Sequence, residues 1–302
     1  MKYRLARDLT LPMTIITATL LSGCGGGDGG GTTPDPVTPP TPGTPTNKCA
    51  GATLDSGASC ITLDSRDAIV YKPAGEIKGI ALFLHGAPGS PKKVSNIFNA
   101  KAITADKQLL SVSPQGSNNF WGWDSLNDGK GTSVKDVIFI EKLLTQLRAD
   151  NNISNEKVYV FGYSAGGFMA YKLACHIPEQ ITAIVSLAGQ FRGDFTHCTT
   201  STPVTLHHFH SPADTDVPMS GRSTGNIKSV ANTLTHWRNI NGCDEASSTV
   251  SNPGVIGSSA GTETQTWQNC TQDISFSKMN NVSHEASYDN AILRQIYSPI
   301  FN

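Results

Sequence analysis

The sequence predicts an α/β domain, with a mostly parallel central sheet and helices on both faces. Three observations predict it. Apolar, β-rich runs alternate with helix-patterned segments from Ile61 onward. A serine at 164 sits in a glycine-flanked turn between one such run and one such helix. An acidic loop and a histidine follow two later runs. Alternation of this kind implies parallel strands whose crossover connections cover the sheet on both sides.

The elements follow in order. Strands are expected at Ile69 to Tyr71 and Ile80 to Leu84, then a helix from Lys92 to Asp106 and a strand at Leu109 to Val112. "SVKDVIFIEKLLTQLRAD" places Val134, Val137, Ile138, Leu144 and Leu147 along one helical face. A strand at Val158 to Phe161 leads into a helix carrying Phe168, Met169, Tyr171, Leu173 and Ala174. Strands at Ile181 to Leu187 and Val204 to Phe209 precede a helix from about Ile227 to Asn239. A strand near Ile274 to Met279 and a final helix from Glu285 to Tyr297 close the chain. No internal repeat or second domain is visible. The expected organisation is residues 1–23 as an export signal, 24–47 as a tether and 48–302 as a single catalytic domain.

Three segments fit G-x-S-x-G: "GYSAG" around Ser164, "GRSTG" around Ser223 and "GSSAG" around Ser259. A nucleophile on a sharp turn needs a buried strand before it and a helix after it. Only Ser164 has both, because Ser223 follows a proline-containing loop and Ser259 lies in a run of turn residues. A serine hydroxyl is a weak nucleophile and needs a base to take its proton and an acid to orient that base. In sheets of this kind functional groups sit in loops beyond the strand C-termini. "HFHSPADTDVP" after one strand offers Asp214 and Asp216, between which chemistry alone does not choose; "NVSHEAS" after the last strand offers His284. His236 lies inside a helical pattern as a packing or surface residue. His207, His208 and His210 lack a carboxylate at metal-ligand spacing and read as strand-end packing, so no metal and no cofactor is expected. Oxyanion stabilisation needs two backbone donors. Ala165, following the serine, and Ala87 in "LHGAPGS" are the candidates. Trp121 and Trp123 offer aromatic faces to a substrate.

The N-terminus has Lys2, Arg4 and Arg7, an apolar stretch from Leu9 to Leu21 and then Leu21-Ser22-Gly23-Cys24. A positive start, a short apolar core and small residues describe an export signal, and the stretch is too short to span a bilayer. The tetrapeptide resembles a bacterial lipobox, so Cys24 is expected to carry acyl chains that anchor the protein to a membrane. In a host with two membranes, Gly25, which is not the aspartate associated with inner-membrane retention, favours the outer membrane or cell surface. Residues 25 to 47 are Gly-rich, then Thr/Pro-rich, a composition that buries no core and reads as an extended tether. The remaining six cysteines suit an exported, disulfide-braced domain. Sequential pairing is expected, Cys49 with Cys60, Cys175 with Cys198 and Cys243 with Cys270, because each pair brackets a short excursion. A net charge of -1 gives no electrostatic case for nucleic acid.

From about Tyr71 to its end, the chain resembles the exported esterases of the polyhydroxybutyrate depolymerase and feruloyl/acetylxylan esterase type, within the α/β-hydrolase superfamily. "LFLHG", "SPQGSNNFWGW", "KDVIFIEKLL" and "KVYVFGYSAGGFMAYKLAC" carry the resemblance. "HFHSPADTDVP" resembles a block whose aspartate four residues after the histidine is catalytic, which assigns the acid to Asp214. The resemblance supports the pairing of Cys175 with Cys198 and of Cys243 with Cys270. His85 and Tyr163 stand as substrate-binding candidates beside the two tryptophans. Departures occur in "NNVSHEASYD", where the family has glycines before its base and a tryptophan after it, and in "GAPGS". The resemblance implies a serine esterase acting on feruloyl or acetyl esters of plant polysaccharide. The alternatives are a polyester depolymerase, an acyltransferase, or a non-catalytic binding protein on the same fold.

Overall fold

The computed structural model describes residues 47–122, 133–154, 157–257 and 260–302. The export signal, Cys24, the tether up to Thr46, Trp123 and Ser259 lie outside the described residues. The chain begins with a short hairpin, β1 (Lys48–Cys49) and β2 (Ala52–Thr53), and continues through β3 (Ala58–Leu63), β4 (Arg66–Tyr71) and β5 (Gly79–Leu84). Helices α1 (Pro91–Phe98) and α2 (Ala100–Lys107) lead to β6 (Leu110–Pro114), α3 (Lys135–Asn151), β7 (Lys157–Tyr163) and α4 (Ala165–His176). Then come β8 (Ala183–Leu187), β9 (Thr205–His210), α5 (Val230–Asn241), β10 (Ser247–Asn252), β11 (Thr262–Trp267), β12 (Ile274–Met279) and α6 (Asn290–Tyr297).

One sheet takes the strand order β10-β11-β12-β9-β8-β7-β5-β6-β4-β3. Its middle, from β12 to β6, is parallel, while β4 and β3 at one edge and β11 and β10 at the other pair antiparallel. Side chains alternate between faces. Ile80, Leu82, Val158 and Val160 join a core under α3, α4 and α5, whereas Ala81, Phe83, Tyr159 and Phe161 join another under α1, α2 and α6. Burial on both faces explains why these strands read as continuous apolar runs.

Several expectations need correction. The helix expected from Lys92 to Asp106 is two helices, because Asn99 takes φ 54°; it ends α1 and caps α2 with its side chain, on the Ala102 N–H at 3.2 Å. Asparagine enters this left-handed region more readily than most residues. The final helix begins at Asn290, where the Asp289 carboxylate accepts the N–H groups of Ala291 and Ile292, and the strand expected from Ile181 begins at Ala183. On α3 the buried stripe is Val137, Ile140, Leu143, Leu144 and Leu147, while Val134 and Ile138 are exposed. Strands β3 and β10, at the two edges of the sheet, and β11 beside β10 escape the sequence reading because their residues are largely polar or exposed, held by ladder hydrogen bonds rather than apolar burial.

Candidate active site

The sheet's order reverses around β5, since the chain passes from β5 to β6 on one side and returns to β7 on the other. Loops diverge at such a switch point and leave a crevice beyond the strand C-termini. The loops after β5 and β7 both open into it. Ser164 follows β7 directly and caps α4 with φ 54° and ψ -117°, a strained conformation that lifts its side chain out of the strand. The flanking glycines are sterically required. A Cβ on Gly162 would collide with the Gly166 carbonyl, and one on Gly166 with the Leu84 carbonyl of β5. Ser223 lies in an exposed turn with neither strand nor helix beside it.

Ser164 Oγ lies 2.8 Å from His284 Nε2, and His284 Nδ1 lies 2.7 Å from Asp214 Oδ2. The carboxylate can only accept from Nδ1–H, so the neutral ring presents its Nε2 lone pair to the serine hydroxyl. Asp214 and His284 stand in the loops after the adjacent parallel strands β9 and β12. The Ser211 hydroxyl ties those loops together, accepting the Val282 N–H at 3.1 Å. Asp214 is 4% exposed, and its Oδ1 accepts the N–H groups of Asp216 and Val217 at 3.0 and 2.8 Å. Burial pushes the Asp214 carboxyl up. The hydrogen bonds from His210, His284 and Val217 outweigh it and hold the group well below the usual carboxylate range. Asp216 is exposed.

Two expected substrate contacts are corrected. His85 is 1% exposed and both ring nitrogens are engaged: Gly116 N–H donates to Nε2 at 2.9 Å, so Nδ1 carries the proton and donates to the Gly86 carbonyl at 2.6 Å. It braces the loop that presents Ala87 and does not face a ligand. Tyr163 is 2% exposed; its hydroxyl donates to the His284 carbonyl at 2.8 Å and its ring stacks on the His284 ring at 5.5 Å. Tyr288 donates to the same carbonyl at 3.1 Å, so two phenols fix the histidine backbone. His236 stacks on Phe195 at 4.4 Å, a packing role.

Ala87 and Ala165 line one cavity of about 450 Å³, together with Trp121, Phe120, Arg66 and Arg192. Such a volume suits a small organic group. Trp121 lines the cavity although it is nearly buried, and its indole N–H donates to the His85 carbonyl at 2.8 Å. Arg66 pairs with the buried Asp136, which also accepts the Gly122 N–H. Sequence reasoning missed Phe120, Arg66 and Arg192, which come from three separated segments without a shared motif.

Cysteines pair as Cys49–Cys60, Cys175–Cys198 and Cys243–Cys270. The group Cys49, Cys60 and Asp67 clusters within ligand distance, but its thiols are consumed in a disulfide, which suits no metal.

An acetyl xylan esterase from Aspergillus awamori superposes on 81% of this chain and 99% of its own, with a TM-score of 0.59 and 16% identity. The fold is that of an α/β-hydrolase. Within this hydrolase fold, the family model described as the prolyl oligopeptidase family matches residues 110–237, a span that includes Ser164 and Asp214. A probable feruloyl esterase C of Aspergillus flavus is 27% identical over 190 residues, 63% of this chain. A bifunctional acetylxylan esterase/xylanase of Neocallimastix patriciarum is 26% identical over 151 residues, 49% of this chain. This chain spans 60% of the former relative and 21% of the latter. The resemblance to feruloyl and acetylxylan esterases seen in the sequence is thus shared by named relatives.

Proposed function

We propose that the protein is an exported serine esterase acting through an acyl-enzyme. One observation carries the reading: a hydroxyl at a strained turn, 2.8 Å from an imidazole that is itself 2.7 Å from a buried carboxylate. Ser164 Oγ attacks the ester carbonyl carbon as its proton passes to His284 Nε2, and the carbonyl oxygen takes up negative charge beside the backbone N–H groups of Ala87 and Ala165. Asp214 stabilises the imidazolium that forms. His284 then protonates the departing alcohol oxygen, leaving an ester on Ser164. Water, giving its proton to His284, releases the acid and restores the hydroxyl.

Feruloyl or acetyl esters of plant polysaccharide are the proposed substrates, in keeping with the names of the relatives. Three disulfides fit an oxidising compartment, and the lipobox-like Leu21 to Cys24 supports anchoring through acyl chains on Cys24. Ser164→Ala should cut turnover of a small aryl acetate by about 10⁴-fold or more, with circular dichroism unchanged. Unaltered turnover rejects the mechanism. Acid release from feruloylated xylan and acetylated xylan should exceed that from polyhydroxybutyrate film; the reverse order reassigns the substrate. Cys24→Ser should move the protein from the membrane fraction to the soluble one.

A further inference from the structure

Strand β9 buries three histidines, and the mechanism uses none of them. His208 and His210 project from the same face of the strand and are fully buried, as is Tyr171 on α4 beside them. Their polar atoms form one line. The Tyr171 hydroxyl lies 3.0 Å from His208 Nδ1, His208 Nε2 lies 3.1 Å from His210 Nδ1, and His210 Nε2 lies 2.7 Å from the Val217 carbonyl oxygen. The same His210 nitrogen stands 3.5 Å from Asp214 Oδ2, the oxygen that receives His284.

With both imidazoles neutral, proton placement along this line has one solution. A carbonyl oxygen only accepts, so His210 Nε2 carries a proton, and in the neutral ring Nδ1 must then accept. His208 Nε2 therefore donates to it, His208 Nδ1 accepts, and the Tyr171 hydroxyl is the donor that starts the line. The opposite polarity of neutral rings would turn a lone pair of His210 toward both a carbonyl oxygen and a carboxylate in a buried interior, where unpaired or opposed polar groups are costly. Burial independently keeps His208 neutral, pushing its pKa well below the ordinary histidine value.

We propose that His210 is a positioning residue for Asp214, locked by Tyr171 and His208 in the tautomer whose N–H faces the Val217 carbonyl and the carboxylate. This rests on the esterase reading of Ser164, His284 and Asp214. The carboxylate oxygen that orients His284 is thereby flanked on its other side by a fixed N–H. The turn from Ser211 to Val217 is closed at both ends, by backbone N–H groups on Oδ1 and by His210 on the Val217 carbonyl. Losing His210 removes one of the groups that hold the Asp214 carboxylate toward His284, a fault in transition-state stabilisation rather than in substrate binding.

The test is steady-state kinetics on a neutral aryl ester with His210→Leu and His210→Gln, the latter keeping an N–H donor near the Val217 carbonyl. Groups that orient a metal-binding side chain from outside typically matter by about 10–100-fold. On that scale His210→Leu should lower kcat by about 10–100-fold with KM within about twofold, and His210→Gln should recover most of the loss. A folded His210→Leu with wild-type kcat and only a lower thermal midpoint overturns the proposal. Should the variants fail to fold, NMR of isotope-labelled histidine in the wild-type protein decides. Nε2–H tautomers at both His208 and His210 are expected, and a proton on His210 Nδ1 overturns the assignment. A wild-type protein that hydrolyses no ester refutes the esterase reading instead, and the tautomer measurement still judges the line of hydrogen bonds.

Discussion

Mild acid should destabilise this protein more steeply than its carboxylates alone would, and the cause is two histidines sealed in the sheet. His207 is 3% exposed, pairs with the Ser277 hydroxyl at 2.8 Å and stacks on Phe209 at 4.5 Å. Burial pushes its pKa from 6.5 to about 3, and burial lowers His208 as well. The folded state keeps both rings neutral while the unfolded chain binds protons from 6.5 downward. Stability is therefore complete above 6.5 and falls as the pH drops toward about 3. One pH unit corresponds to about 1.4 kcal/mol for each such group. Between 6.5 and about pH 5, His207 alone should cost roughly 2 kcal/mol, and His208 acts in the same direction. That is a large part of the 5–15 kcal/mol, or thereabouts, that holds a typical domain folded. Urea unfolding of the wild type and of His207→Gln at about pH 7 and about pH 5 measures it. The variant keeps a polar partner for Ser277 and should lose roughly 2 kcal/mol less between the two conditions. Equal pH dependence in both proteins would refute the assignment.

Two further perturbations probe the elbow and its bracing. Gly166→Ala drives a Cβ into the Leu84 carbonyl; it should cost about 1–3 kcal/mol and displace Ser164 from the β5 loop, lowering kcat, and an unchanged thermal midpoint would contradict the steric argument. Removing the Cys175–Cys198 bridge by Cys175→Ser with Cys198→Ser opens a loop of sequence separation 23. By chain entropy the double variant should lose about 3 kcal/mol in denaturant unfolding, and no loss would place the stabilisation elsewhere.

The buried strands were readable because burial on both faces leaves unbroken apolar runs, as in "IALFL" and "VYVF". The polar strands at and next to one sheet edge were not. In "SSTVSN" and "TETQTW" the stabilising groups are backbone amides, which every residue carries, so the side chains leave little trace. Asn99 broke a helix that periodicity draws as continuous, because one residue in the left-handed region outweighs the surrounding pattern.

Sequence by itself determined the class of fold and the strand-turn-helix setting of Ser164, since both follow from local periodicity and from glycines at fixed spacing. Only the tertiary structure separated Asp214 from Asp216 on physical grounds: one reaches His284 at 2.7 Å and the other is exposed. Likewise His85 and Tyr163 become braces rather than ligand contacts, and His210 comes to stand beside Asp214. These assignments depend on distances between groups far apart in the chain, and those distances are set by sheet order and loop packing, which no local pattern encodes.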